Sequence, residues 1–456
     1  MTKRLAIVCV LWVVGAAPAG AQTRPTSLST LFEDIFGPSG LTVASDEVLL
    51  DGTNHAAHFN SAFQSDFRLI NIALTSQLAS VPLPSPASGF TYRFDPETGT
   101  FVRSTSSFGP ILTDRGETIG RGRLAFGFSY QFFSFDRLDG VSLTAIPAVF
   151  THDDFEAGGG RTDVVFTHDD HQAGGGRSDV VFTENTITAD VSQFTGAMTY
   201  GVTDRLDLSL AVPIISTRLS LLSNARIHRV GTGPDTGVHF FRDDNSLDGR
   251  GDTHQFFAEA SASGVGDIVV RAKATVLKEQ HRALAIGVDA RLPTGDEHNL
   301  LGAGAPGLRV FGAFSTALGG FAPHVNLGYQ WNGRSLLAGD VRVGDKGDLP
   351  DQFQWAVGTD YALNQRLSVV FDVLGRHVID SPQLSTYTFA AAGPAGSMSL
   401  PDIRFGRASY SVSSGALGFK ANVRQQLLVT FNLRFQIDDG GLSDRIAPLI
   451  GMEWGF

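Results

Sequence analysis

Residue types that do chemistry are sparse in this chain, and few sit at a spacing that chemistry needs. Asp244-x-Ser246-x-Asp248-Gly249, with Asp252 beyond, matches the opening positions of a calcium loop. The twelfth position is Gln255, where such loops need a bidentate glutamate. A solvated loop is the default reading, and calcium the weaker alternative. His152-Asp153-Asp154 and His168-Asp169-Asp170 offer metal-ligating types, yet they read first as acidic surface loop. Gly264-Val-Gly-Asp267 lacks the Gly-Lys-Ser/Thr of a phosphate loop and leads into an expected strand, not a helix. A hydrolase would need Ser, His and an orienting acid within reach. Of the 12 histidines, only His324 lies well inside an expected strand, with no identifiable serine partner. Neither an enzyme nor a cofactor is expected.

The elements that would carry these residues alternate with period two. Leu427–Ile437 puts Leu427, Val429, Phe431, Leu433, Phe435 and Ile437 on one face, and Leu428, Thr430, Asn432, Arg434 and Gln436 on the other. Leu206–Ile214, His324–Trp331, Phe353–Leu363 and the C-terminal Ile450–Phe456 repeat the scheme. Candidate strands fall near 120–135, 187–202, 206–223, 264–279, 282–295, 308–318, 321–332, 353–364, 367–377, 410–423, 427–438 and 447–456. Short links, such as Thr203-Asp204-Arg205 and Gly319-Gly320, alternate with long ones at 136–186, 224–263, 296–307, 333–352, 378–409 and 439–446. Short turns at one rim and long loops at the other are the layout of an outer-membrane barrel. The reading is all-β: an antiparallel transmembrane β-barrel of about 12 strands, or 14 if a small hairpin near 90–103 joins the wall. A soluble two-sheet protein is the rival, because alternation alone is compatible with one wet face.

Compartment and composition agree. Met1–Ala21 has a basic start (Lys3, Arg4), an apolar core (Leu5–Val14) and a small-residue site, Ala19-Gly20-Ala21. It reads as a cleaved signal peptide. The one cysteine, Cys9, lies inside it, so the exported chain has no disulfide or thiolate site. Charged residues make up 18% and the net charge is −11. An acidic exported chain with no basic stripe is no nucleic-acid binder. No other stretch is long and apolar enough to span a bilayer as a helix.

Residues 22–119 follow another pattern. Thr30-Leu-Phe-Glu33 fits a capping box, and Leu28, Leu31, Phe32, Ile35 and Phe36 recur at helical spacing. Asn54–Ala79 gives a second helical pattern, ended by Pro82, Pro84 and Pro86. This partly helical segment is expected to be a plug of the barrel or a free periplasmic unit. Thr151–Phe166 is repeated as Thr167–Phe182 with three differences, a tandem duplication (151–182) in the first long loop.

The alternation also gives the inward face: Asp207, Arg271, Lys273, Asp289, Arg291, Arg309, His324, Asp360, Asp372, Arg376, Lys420, Arg434 and Glu453. An Arg or Lys facing lipid at mid-depth would cost about 2–4 kcal/mol. Mixed signs imply ion pairs across the lumen. Lumen filling is the first reading for each residue, and a selectivity ring the second.

Three stretches carry a resemblance. Tyr200–Ile214 (YGVTDRLDLSLAVPI) is the first. Gly264-Val-Gly-Asp-Ile268 with Arg271-Ala-Lys273 is the second. Arg291-Leu-Pro-Thr-Gly-Asp296 with Leu300-Leu-Gly-Ala-Gly304 is the third. Over 120–456 the chain resembles the outer-membrane family named for the meta-pathway of phenol degradation, itself related in architecture to long-chain fatty-acid and aromatic-hydrocarbon transporters. The resemblance implies residence in the bacterial outer membrane and passive uptake of a small hydrophobic or aromatic solute. It transfers no catalytic residue. The alternative is a structural or adhesion barrel with a closed lumen. Expected partners are outer-membrane lipid, the solute, and the barrel-assembly machinery through the last strand, ending at Phe456.

Overall fold

A computed structural model describes residues 27–37, 40–44, 57–60, 69–79, 92–95, 100–103, 107–152, 179–230, 239–243, 245–393, 396–424 and 426–456. Twelve antiparallel strands form the wall: β1 (Leu124–Phe135), β2 (Val180–Thr203), β3 (Leu206–His228), β4 (Ile268–Lys278), β5 (Arg282–Leu292), β6 (Gly307–Thr316), β7 (Phe321–Asn332), β8 (Gln352–Asn364), β9 (Leu367–Gly393), β10 (Gly396–Arg424), β11 (Leu427–Gln436) and β12 (Ile446–Gly455). Each pairs with the next, and β12 returns to β1 with Met452 opposite Phe128. The sheet therefore closes into a barrel, which pairs the backbone of the wall strands where they run side by side.

The period-two pattern decides which way each strand faces. On β11, Leu428, Thr430 and Asn432 are buried inside, while Leu433 and Phe435 are exposed outside. Ile450, Met452 and Trp454 point outward from β12, and Phe128 and Tyr130 from β1. A continuous apolar belt of this size on a closed barrel is the surface that lipid covers.

Two hairpins run far beyond membrane length. β2 and β3 have 24 and 23 residues, and β9 and β10 have 27 and 29, whereas the other strands have 10–13. About ten residues cross a bilayer, so these hairpins stand above the barrel at its long-loop end. The extensions recruit further strands. Thr253–Val265 pairs with Ile214–Arg226 of β3, and Ile146–His152 pairs with β2. Together they enclose a dry core in which Leu28, Leu31, Phe36, Ile70 and Leu74 meet Ile187, Leu219 and Leu221. Phe36 packs edge-on against both Phe150 and Phe256.

The stretches 224–263 and 378–409 were expected as loops but contain ladders: Thr253–Val265, and the projecting part of the β9–β10 hairpin. Thr30 makes no cap; its hydroxyl donates to Asp34 instead, and the α-helix is only Leu31–Asp34. Among the described residues of 54–79, Ile70–Ala79 is helical, while Ala57–Asn60 is a strand paired with Leu41–Val43. Tyr92–Asp95 and Thr100–Arg103 pair with each other in a separate sheet, so the wall stays at 12 strands. Most of the 151–182 duplication lies outside the described residues.

Candidate functional site: the lumen

Residues 107–119, hereafter the strap, run inside the wall just before β1. Their backbone atoms bond to inward-facing side chains of six strands. Phe108 N donates to Ser368 Oγ at 3.0 Å, and Gly109 N to Asp360 Oδ2 at 3.2 Å. Asp114 and Asn326 bond reciprocally: Asp114 N to Asn326 Oδ1 at 2.7 Å, and Asn326 Nδ2 to Asp114 O at 2.8 Å. Gly116 N donates to Ser315 Oγ, and Gly116 O accepts from Thr275 Oγ1. Lys273 Nζ donates to Glu117 O at 2.8 Å, and Ile119 N donates to Asp207. An extended segment has no partners of its own for these groups. The polar inward rows of the wall supply them.

Two charge clusters tie the strap's side chains to the wall. In the first, Arg271 donates from Nε and Nη2 to the two oxygens of Asp289 at 2.6 and 2.9 Å, and from Nη1 to Asp114. Arg309 reaches the same Asp289 at 2.7 Å. Arg291 sits 3.6 Å from Asp267 and donates to Asn332. In the second, Arg115 Nη2 donates to Asp360 at 2.8 Å, and His324, 1% exposed, lies between Asp360 and Asp372, with Nε2 2.7 Å from Asp372. The neighbours of the His324 ring nitrogens are these carboxylates and Ala322 O. The geometry is that of a buried ionic brace.

The other inward residues lie elsewhere on the wall. Lys420 bonds to Glu453 at 2.7 Å, with both buried. Arg376 donates to Gln77 of the helix Ile70–Ala79. Arg434 sits over the Phe133 ring at 5.1 Å.

A cavity of about 180 Å³ opens between Leu112–Asp114 beneath and Gln77 above. Its wall combines Arg271, Arg291, Arg309, Arg376 and Arg434 with apolar Ile215, Phe311, Ala356, Leu374 and Val412. Among the described residues of the calcium candidate, each side chain has another partner. Asp252 pairs with Arg229, Asp248 accepts from Arg250 N, and Ser246 Oγ donates to Asp243 O. Asp244, like Asp153 and Asp154, lies outside the described residues. Among the described residues no group of three His, Cys, Asp or Glu could hold a metal.

Sequence reading missed Asp114, Arg115 and Gln77, which bring the lumen's charges into register. It also missed what Asp267 does. β4 pairs with β3 only as far as Ala211, and beyond that β3 pairs with Thr253–Val265, so the wall divides there. Asp267 stands at the division and accepts from Gly295 N at 3.0 Å and Ala303 N at 2.8 Å, drawing the 295–305 loop across it. Thr217 Oγ1 donates to Leu300 O from the β3 side. A Cβ on Gly302 would stand 2.3 Å from Asp267 Oδ1, so only glycine fits. The signal was present: the Gly-Val-Gly-Asp and Leu-Pro-Thr-Gly-Asp stretches that carry the resemblance are the two sides of this closure.

A family model described as "Putative MetA-pathway of phenol degradation" matches residues 153–402. Among curated proteins, none matches the chain. Several solved structures do. An outer membrane channel from Pseudomonas putida F1 is 15% identical over 75% of this chain and 100% of its own, with a TM-score of 0.40. The toluene transporter TodX of P. putida is 9% identical, over 74% of this chain and 90% of its own, with a TM-score of 0.31. A FadL homologue of Pseudomonas aeruginosa is 11% identical, over 81% and 94%, with a TM-score of 0.30.

Proposed function

The chain belongs to this phenol-degradation family, and on that premise we propose that it is an outer-membrane channel for passive entry of small hydrophobic or aromatic molecules. The observation that carries the reading is the cavity above the strap, inside a closed wall whose outer belt is apolar. A solute entering at the long-loop end meets the dry core first, then the mixed apolar and cationic cavity. Residues 22–119 act as the plug, with the strap as the part that must shift for passage. The long-loop end faces outward, and the exported chain begins after Ala21. Phe456, whose N–H donates to Leu124 O where the barrel closes, is the terminal residue that assembly machinery engages.

The strap's buried ion pairs favour a second reading, a structural or adhesion barrel with a permanently shut lumen. Uptake of toluene by cells expressing the full chain in a lipopolysaccharide-bearing outer membrane separates the two. Faster uptake than in cells without the protein supports the channel. Equal uptake, with the protein folded in that membrane, supports the closed barrel.

A further inference from the structure

Charge is not evenly balanced around the cavity. On one wall Arg271, Arg291 and Arg309 are matched by Asp114, Asp267 and Asp289. On the opposite wall Arg434 has no carboxylate within ion-pair distance among the described residues. It lies against the face of Phe133, and from beyond ion-pair distance it feels Asp444 and the like-charged Arg376. Neighbouring strands place polar groups beside it. Arg434 is opposite Ala416 on β10, Ser414 is opposite Gln436, and Arg376 is opposite Val412. All three positions of β10 share one face, so Ser414 lies between the two arginine rows, and it lines the same cavity as Arg376 and Arg434. Next to them the lining turns apolar, at Leu374 and Val412.

We propose that this wall is a binding subsite for the carboxylate of a small aromatic acid, with Arg434 as the residue that selects it. The proposal rests on the channel reading above and narrows it to a substrate class. Three physical points support it. A guanidinium matches a carboxylate with two parallel hydrogen bonds. Burying a cation is costly, and an arriving anion relieves that cost where a neutral solute does not. The volume, about 180 Å³, suits a single ring, since an apolar cavity of about 150 Å³ takes up benzene.

The test uses the full-length protein in detergent, with benzoate and the neutral isostere benzamide as probes, followed by calorimetry or ligand-observed NMR. Benzoate binds more tightly than benzamide. Arg434→Met weakens benzoate at least about tenfold, the scale of one charge-assisted bond, and leaves benzamide within twofold. Arg434→Lys, which keeps the charge but loses the two parallel hydrogen bonds, binds benzoate with an affinity between wild type and Arg434→Met and shows that the site rather than the fold was altered. Equal binding of the two probes, or unchanged benzoate binding in folded Arg434→Met, overturns the subsite. In that case toluene uptake by the wild type leaves the channel reading standing. If neither probe binds and toluene is not taken up, both fall.

Discussion

Arg271 on β4 donates from Nη1 to both carboxylate oxygens of Asp114, 157 residues earlier in the chain, at 2.9 and 3.1 Å. The contact joins the strap to the wall at the floor of the cavity. Arg271 also holds Asp289, so it is held from two sides and cannot follow the strap. Asp114→Asn keeps the shape and removes the charge, at a cost of about 1.5–3 kcal/mol for a charged hydrogen bond. The expected outcome is a folded barrel whose strap moves more often, seen as more frequent current steps in planar bilayers than in the wild type. Identical traces would show that this pair does not restrain the strap.

The Asp267 closure gives a second expectation. Gly302→Ala must push Asp267 away from the N–H groups of Gly295 and Ala303, because the new methyl has no room. The loop should detach from the division in the wall. Protease cleavage within 295–305 should rise while the barrel itself stays resistant. An uncut loop with unchanged kinetics would contradict the role assigned to Asp267.

Lipid exposure is testable at Leu417, which points out of β10 and is 53% exposed. Leu417→Arg should lower stability in bilayers by about 2–4 kcal/mol if it lies near mid-depth. The neighbouring Ala416 is fully buried and faces the lumen. Urea titration in liposomes measures the loss. An effect within experimental error would place Leu417 outside the hydrocarbon.

Periodicity made the wall legible. Outward greasy rows cannot be exchanged for inward polar ones without a one-residue slip, which would move every side chain on the strand to the other face. The strand ends of β5, β7 and β11 accordingly fall within about three residues of where alternation put them. The inward charges were legible as a set but not as pairs. The partners Asp114 and Arg115 come from a stretch with no regular period, and Arg115 meets Asp360 across 245 residues. The overhanging part of β9 and β10 was hidden for another reason. Pro382, Pro401 and the Ser/Thr-rich run between them read as loop, yet an edge carried on a long hairpin tolerates them. The 253–265 strand alternates small residues, Ala258, Ala260 and Ala262, whose apolar signal is weak.

Acidity should affect the overhang. Burial, the largest influence, raises the carboxyls of Asp139, Asp402 and Asp444 above the usual aspartate range, against the N–H groups they accept from. A carboxyl raised on folding binds its proton more tightly in the folded state. Its stabilising contribution is therefore complete below the ordinary aspartate pKa and is lost as pH climbs through the raised value. Hydrogen exchange at Val149, Leu384, Gly441 and Ser134, whose N–H groups these carboxyls accept, should show more protection near pH 4 than near pH 7 after correction for intrinsic rates. Greater protection at the higher pH would reverse the assignment.

The central claim is that the lumen is the route and the strap its closure. Phe108 N lies 3.0 Å from Ser368 Oγ, and Cys9 is the only cysteine of the sequence. The test introduces Phe108→Cys with Ser368→Cys at this approach and oxidises the pair. Toluene uptake should fall to the background of protein-free membranes when the pair is oxidised and return on reduction. Equal uptake in the two states, with the disulfide verified by mass, would show that solutes do not pass where the strap stands.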